Sequence, residues 1–190
     1  MSALLEWMMT DSPVGITAAE YEAMDEEICR RIEVVDGRIF PMPSPSLAHQ
    51  TISYNLRGAL RAVLPTEYAV TNDVDVRLRD VPLLMRKPDV TVFRRDKREE
   101  SALRAYDVVL AIEGMSPGSM TTDRNAKPAE YAQSGIPYFW RVEQGGDLAL
   151  YTYALVRGEN AYKLTGIHTL HYVTDEPVEL NLDIQALLQD

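Results

Sequence analysis

The 190 residues carry 19 Lys and Arg against 29 Asp and Glu, a formal charge of −10 that repels polyanions at long range and opposes strong non-specific nucleic-acid binding. Apolar residues at 46% and charged residues at 25% are ordinary for a folded chain and argue against intrinsic disorder. The single Cys29 excludes an internal disulfide and has no CxxC partner for a zinc knuckle, which fits a structural thiol in a reducing compartment.

The opening MSALLEWMMTDSP lacks a basic n-region and is interrupted by Glu6, so it does not resemble a secretory signal. Apolar runs elsewhere are too short to span a bilayer. The expectation is a soluble, cytoplasmic protein with no membrane partner, without internal repeats or low-complexity segments. The segment TAAEYEAMDEE, with Thr17 as N-cap, has helical propensity. RIEVVDGRIFPM alternates around Asp36-Gly37 and predicts a hairpin. After PMPSPS, LAHQTISYNLRGALRAVL places Leu47, Ile52, Leu56, Leu60 and Val63 near a helical period and predicts a long amphipathic helix ended by Pro65.

Three strands are expected next: YAVTNDVDVRL, DVTVF after Pro88, and YDVVLAIE. TDRNAKPAEYAQSG reads as a helix stopped at Gly135, and IPYFWRVE as a further strand. In the tail, LALYTYALV and AYKLTGI predict a hairpin across RGEN, followed by HTLHYV and a short final helix around LDIQALLQ. The order α, β-hairpin, α, then mostly β with one further helix implies an α/β fold with a mixed sheet, not the regular alternation of a doubly wound fold. Nine cations between Arg77 and Arg104 allow a local basic face, although RRDKREE alone reads as a solvated loop.

Glu113 closes YDVVLAIE, a run that reads as a strand buried on both faces. An unpaired carboxylate there costs several kcal/mol or more, so protonation, pairing or a bound cation is required. Pro88-Asp89-Val90 opens the preceding strand. If the two strands are antiparallel neighbours, both carboxylates sit at one sheet edge and can share a divalent ion, with water and a substrate oxygen completing its shell. The commoner reading of such spacing is that Asp89 caps a turn and Glu113 pairs with an arginine. His49 could approach from the start of the long helix, although a polar residue in a helix's first turn is the plainer reading. His168 and His171, three apart on one expected strand, would face opposite sides and suit no single metal site. Ser116 and Ser119 lack a GxSxG elbow, and Tyr138, Phe139 and Trp140 read as core and rim residues.

The combination of PDV, IEGMSP and DRNAKPAEYAQSGIPYFWRVE, with RIEVVDGRIFPMPSPSLAHQ before it, resembles the Uma-type family of putative restriction endonucleases, within the PD-(D/E)xK nuclease superfamily. The similarity runs from about Thr17 to Glu143. It implies a restriction-endonuclease-like mixed β-sheet flanked by helices, a single domain over 1–190 with its core at about 17–143 and an added C-terminal β-hairpin region at about 147–190. In that superfamily a lysine normally follows the second acidic residue by two positions; here Met115 stands there, and the matching lysine is Lys127 on the following helix. The resemblance therefore implies Asp89 and Glu113 as metal ligands for Mg²⁺ or Mn²⁺, Lys127 as the residue that positions water or phosphate, and Glu33 as a further candidate ligand. DNA would be the substrate, and cleavage of both strands would favour a homodimer. Pro128 stands where the family pattern leads to leucine, which puts the direction of Lys127 in question. A catalytically silent binding or regulatory module, or a metal-dependent hydrolase of another phosphate substrate, are the alternative functions.

Overall fold

The computed structural model describes residues 15–115, 122–145 and 147–189. Thr17 caps α1 (Ala18–Glu22) through a reciprocal box with Glu20, and Asp25 caps α2 (Glu26–Cys29) by accepting the Glu27 N–H. The one helix expected over TAAEYEAMDEE is thus two, because Asp25 supplies a second N-terminal cap in mid-segment. Strands β1 (Ile32–Val35) and β2 (Arg38–Pro41) form the expected hairpin, with Asp36 and Gly37 at φ +51° and +73° as a tight turn requires. Ser46 caps α3 (Leu47–Val63), which buries Ile52, Leu56 and Leu60 at four-residue spacing.

YAVTNDVDVRL, expected as one strand, is divided between β3 (Tyr68–Asn72) and β4 (Val76–Arg79), which lie in different sheets. Asp73 at φ +52° turns the chain. Asn72 anchors that turn by donating its amide to the carbonyls of Ser53 and Asp89, at 3.3 and 2.9 Å. β5 (Leu84–Arg86) was not expected: it has three residues, between Pro82 and Pro88, too few to show a period. β6 (Val90–Arg94), the two-residue β7 (Leu103–Arg104) and β8 (Val108–Gly114) follow. α4 (Lys127–Gln133) comes next, then β9 (Tyr138–Gly145), and β10 (Asp147–Leu155) with β11 (Tyr162–His168) as the expected hairpin. The tail pairs β12 (His171–Thr174) with β13 (Leu180–Asp183). The final helix is reduced to a 3₁₀ turn at Gln185–Leu188, since Leu182 and Asp183 are taken up in β13.

A five-stranded sheet runs β2-β1-β5-β4-β7 and a six-stranded sheet runs β11-β10-β9-β8-β6-β3. The larger sheet is mixed, because β8 and β9 are parallel while its other pairs are antiparallel. One face, with Val90, Leu110, Ile112 and Trp140, packs against Ile52, Leu56 and Leu60 of α3 and against the β12–β13 hairpin. The other, with Phe93, Ala111 and Phe139, packs against Tyr131 of α4 and Val76 of β4. Alternation along β8 puts Leu110 and Ile112 on the α3 side, so Ala111 and Glu113 face α4.

Leu56 is 2% exposed at the centre of the α3 contact. Leu56→Ala should lower unfolding stability by about 2–5 kcal/mol, read as an earlier urea midpoint with an unchanged slope.

Candidate active site

Glu113 is 1% exposed on the α4 face of β8. Lys127, the first residue of α4, donates its ammonium to Glu113 Oε2 at 2.8 Å. Tyr131, one turn further on the same helix face, donates its hydroxyl to Oε1 at 2.6 Å. The buried carboxylate is thus paired, with a lysine instead of an arginine. A π-helical turn at Thr122–Ala126 runs directly into α4, so Pro128, the second residue of α4, lies where the helix passes from π to α and has no N–H to give to the preceding turn. Lys127 nonetheless reaches Glu113.

Asp89 immediately precedes β6. Because Val90 lies opposite Ile112 in the antiparallel β6–β8 pair, the next step outward brings the Asp89 backbone level with that of Glu113. Asp89 Oδ2 accepts the Gly114 N–H at 2.6 Å, and Oδ1 lies 3.0 Å from His49 Nε2 at the start of α3. A Cβ on residue 114 would sit 3.1 Å from the His49 ring and 3.4 Å from Asp89 Oδ2, so glycine lets the strand end close against both. Strand register thus places Asp89 and Glu113 at one end of β6 and β8, in two separate hydrogen-bonded groups, Asp89 with His49 and Gly114 and Glu113 with Lys127 and Tyr131.

Glu33, on β1, joins the second group. Its Oε2 accepts from Arg86 Nη1 at 2.8 Å, and its Oε1 accepts the Lys87 N–H at 3.1 Å and lies 3.5 Å from Lys127 Nζ. Arg86 also grips Glu130 of α4 with two bonds, at 2.6 and 2.8 Å. Burial opposes the Arg86 charge, but the carboxylates of Glu130 and Glu33 outweigh it and hold its pKa above the ordinary value. Burial, followed by the nearby Glu113 charge, pushes the Tyr131 phenol well up, so it remains a donor. At the rim, desolvation and then the Asp89 charge raise the Asp73 carboxyl.

Two carboxylates, with water and phosphate oxygens, are a donor set that Mg²⁺ accepts. By donor type Asp89 and Glu113, neighbours in strand register, are ligands of the kind such a hard cation accepts, although their side chains are held from different sides, Glu113 by α4 and Asp89 by His49 of α3. Among the described residues no three or more His, Cys, Asp or Glu gather to hold an ion.

Tyr131, Arg86 and Glu130 were not singled out from the sequence. The spacing Lys127, Glu130, Tyr131 was a usable signal, because three- and four-residue steps share a helix face. Arg86 gave none, since its partners are 53 and 44 residues away. His168 and His171 lie on two strands instead of one, and His168 packs its ring 4.3 Å from Tyr172. Phe139 and Trp140 are core residues, at 0% and 1% exposure. Ser116 and Ser119 lie outside the described residues.

Much of the basic stretch is taken up in ion pairs. Arg77 pairs with Glu22, Arg79 with Asp36, Lys87 with Asp75, and Arg104 with Asp80. A surface hollow of about 710 Å³ lined by Thr66, Tyr68, Arg94, Arg95 and Arg98, among others, lies at the far end of β6 from Asp89; Arg94 pairs with Asp96 and Arg98 with Glu99, while Arg95 donates to the Thr66 carbonyl at 2.6 Å. The chemistry-bearing residues are not there.

A family described as Uma2, "Putative restriction endonuclease", matches residues 18–186, which extends the resemblance through the β-rich tail. No curated protein matches the chain significantly. Among solved structures, a protein from Anabaena variabilis described as a putative nuclease belonging to DUF820 superposes with a TM-score of 0.68 at 20% identity, over 91% of this chain and 97% of the other. That likeness shows a shared fold.

Tyr131→Phe should cost about 1–3 kcal/mol in urea unfolding, because it removes the hydroxyl that donates to a buried carboxylate oxygen. A pH effect follows from the phenols that burial raises, Tyr131, Tyr21 beside Asp75, and Tyr162. Raised folded values mean that their contribution is complete below the ordinary tyrosine pKa of about 10 and is lost as pH rises beyond it. Absorbance titration should show them unionised while the fold persists, with stability declining above that pH.

Proposed function

From the premise that the chain belongs to the Uma2 family of putative restriction endonucleases, we propose that it is an endonuclease that hydrolyses DNA phosphodiester bonds with Mg²⁺ or Mn²⁺. The cation is assigned to Asp89 and Glu113. The observation that carries the reading is Lys127 Nζ, 2.8 Å from a buried Glu113 carboxylate at the strand end that adjoins Asp89. When bound, such an ion polarises a phosphate and lowers the pKa of water. Lys127 places a fixed positive charge where negative charge develops on the phosphate oxygens. Tyr131 and Lys127 orient Glu113, while His49 and the Gly114 N–H orient Asp89. Glu33 is assigned to the Lys127 ion pair, with Arg86 on its other oxygen. Cleavage of both strands of a duplex favours a homodimer, each copy cutting one strand.

A silent binding or regulatory module is the second reading, and it is favoured by the same contacts. Each carboxylate oxygen of Asp89 and Glu113 already meets a protein group. A metal-dependent hydrolase of a different phosphate substrate draws on the −10 charge, which disfavours polyanions.

Purified protein with Mg²⁺ or Mn²⁺ should cut DNA, and chelation should stop it. Glu113→Gln should abolish cleavage while circular dichroism stays native. Lys127→Met should lower turnover by about 10²–10³-fold yet leave Mn²⁺ affinity by calorimetry equal or slightly tighter, since a cation beside the site is gone. Intact DNA of varied sequence after incubation with wild-type protein and either ion would favour the silent module.

A further inference from the structure

We propose that Arg86 is a positioning residue that decides which carboxylate Lys127 serves; the inference rests on the reading of Lys127 as the residue facing the phosphate. Three low-exposure carboxylates, Glu33, Glu113 and Glu130, surround the two buried cations Arg86 and Lys127. The Lys127 ammonium lies between two of them, 2.8 Å from Glu113 Oε2 and 3.5 Å from Glu33 Oε1. Which one holds it depends on how far the Glu33 charge is met from elsewhere.

Arg86 meets it. Antiparallel pairing of Val34 with Met85 brings Glu33 opposite Arg86, whose Nη1 reaches Glu33 Oε2 at 2.8 Å. The remaining edge of the guanidinium forks onto Glu130, three residues after Lys127 on α4. One side chain, 5% exposed, thereby neutralises the competitor for Lys127 and clamps the helix that carries it. The rigid fork matters: a lysine would supply the charge but not two fixed directions. Without the Arg86 charge, Glu33 becomes the stronger attractor in a low-dielectric pocket, and the ammonium shifts away from Glu113.

The test compares Arg86→Met, Arg86→Lys, Glu33→Gln and the Glu33→Gln combinations, each checked for native circular dichroism. In Mn²⁺-dependent DNA cleavage, Arg86→Met should lower kcat by about tenfold or more while KM and Mn²⁺ affinity stay within about twofold. Arg86→Lys should fall between it and wild type. Adding Glu33→Gln to either should recover most of the lost kcat, because the competing charge is removed. A role in folding alone would lower the melting temperature without that split, and removing a second ion-pair partner would rescue nothing. Wild-type kcat in folded Arg86→Met, or no rescue by Glu33→Gln, overturns the proposal. If Arg86→Met fails to fold, Arg86→Lys with and without Glu33→Gln decides by the same rescue. A crystal structure of the folded Arg86 variant separates this inference from the nuclease reading. Lys127 Nζ displaced from Glu113 towards Glu33 in the variant, with a wild-type chain that cuts no DNA, would sink the nuclease reading and leave positioning standing; Lys127 unmoved would sink positioning.

Discussion

The Glu113 carboxylate, enclosed at the end of β8, constrains most of what surrounds it. Removing one member of a buried pair costs about 3–5 kcal/mol, so α4 must stay where Lys127 and Tyr131 reach the carboxylate. A seven-residue helix is not stable alone. Its docking comes from Tyr131, fully buried with its ring 5.9 Å from that of Phe139, and from the Arg86 fork on Glu130. Apolar packing holds the helix body, and ion pairs set its position along the sheet.

The same ion pairs join the two larger sheets. Glu33 and Arg86 belong to the five-stranded sheet, Glu113 to the six-stranded sheet, and Lys127 and Glu130 to the helix between them. Such pairs gain stability only when every oxygen and N–H is well placed, because desolvation is otherwise larger than attraction. Here the bonds are short, and Arg86 uses Nε and both terminal nitrogens. The network therefore contributes more to fixing geometry than to net stability.

Asp89 is held from the opposite side of the sheet. His49 projects from the first turn of α3, whose apolar face packs against Val90 and Ile112, so the contact that stabilises the core also sets the histidine beside the carboxylate. Exposed pairs such as Arg94 with Asp96 are worth about 0–1 kcal/mol and say little about the fold. The acidic net charge makes local geometry, not long-range steering, the basis on which a phosphate would be met.

The sequence by itself determined the elements whose pattern is local: the Asp36-Gly37 hairpin, the amphipathic α3, the buried run ending at Glu113, and the β10–β11 hairpin. It also singled out Asp89, Glu113 and Lys127, through family motifs that encode position along the chain. Only the tertiary structure decided the division of YAVTNDVDVRL between two sheets, because Asn72 finds its acceptors on α3 and at Asp89. β5 was invisible for a related reason: three residues form a strand only when β1 and β4 stand on either side. The partners of the lysine lay equally out of reach. Glu33 and Arg86 meet across 53 residues, and an ion pair at that separation leaves no periodicity or spacing to read; it exists because two sheets and a short helix close around one buried carboxylate.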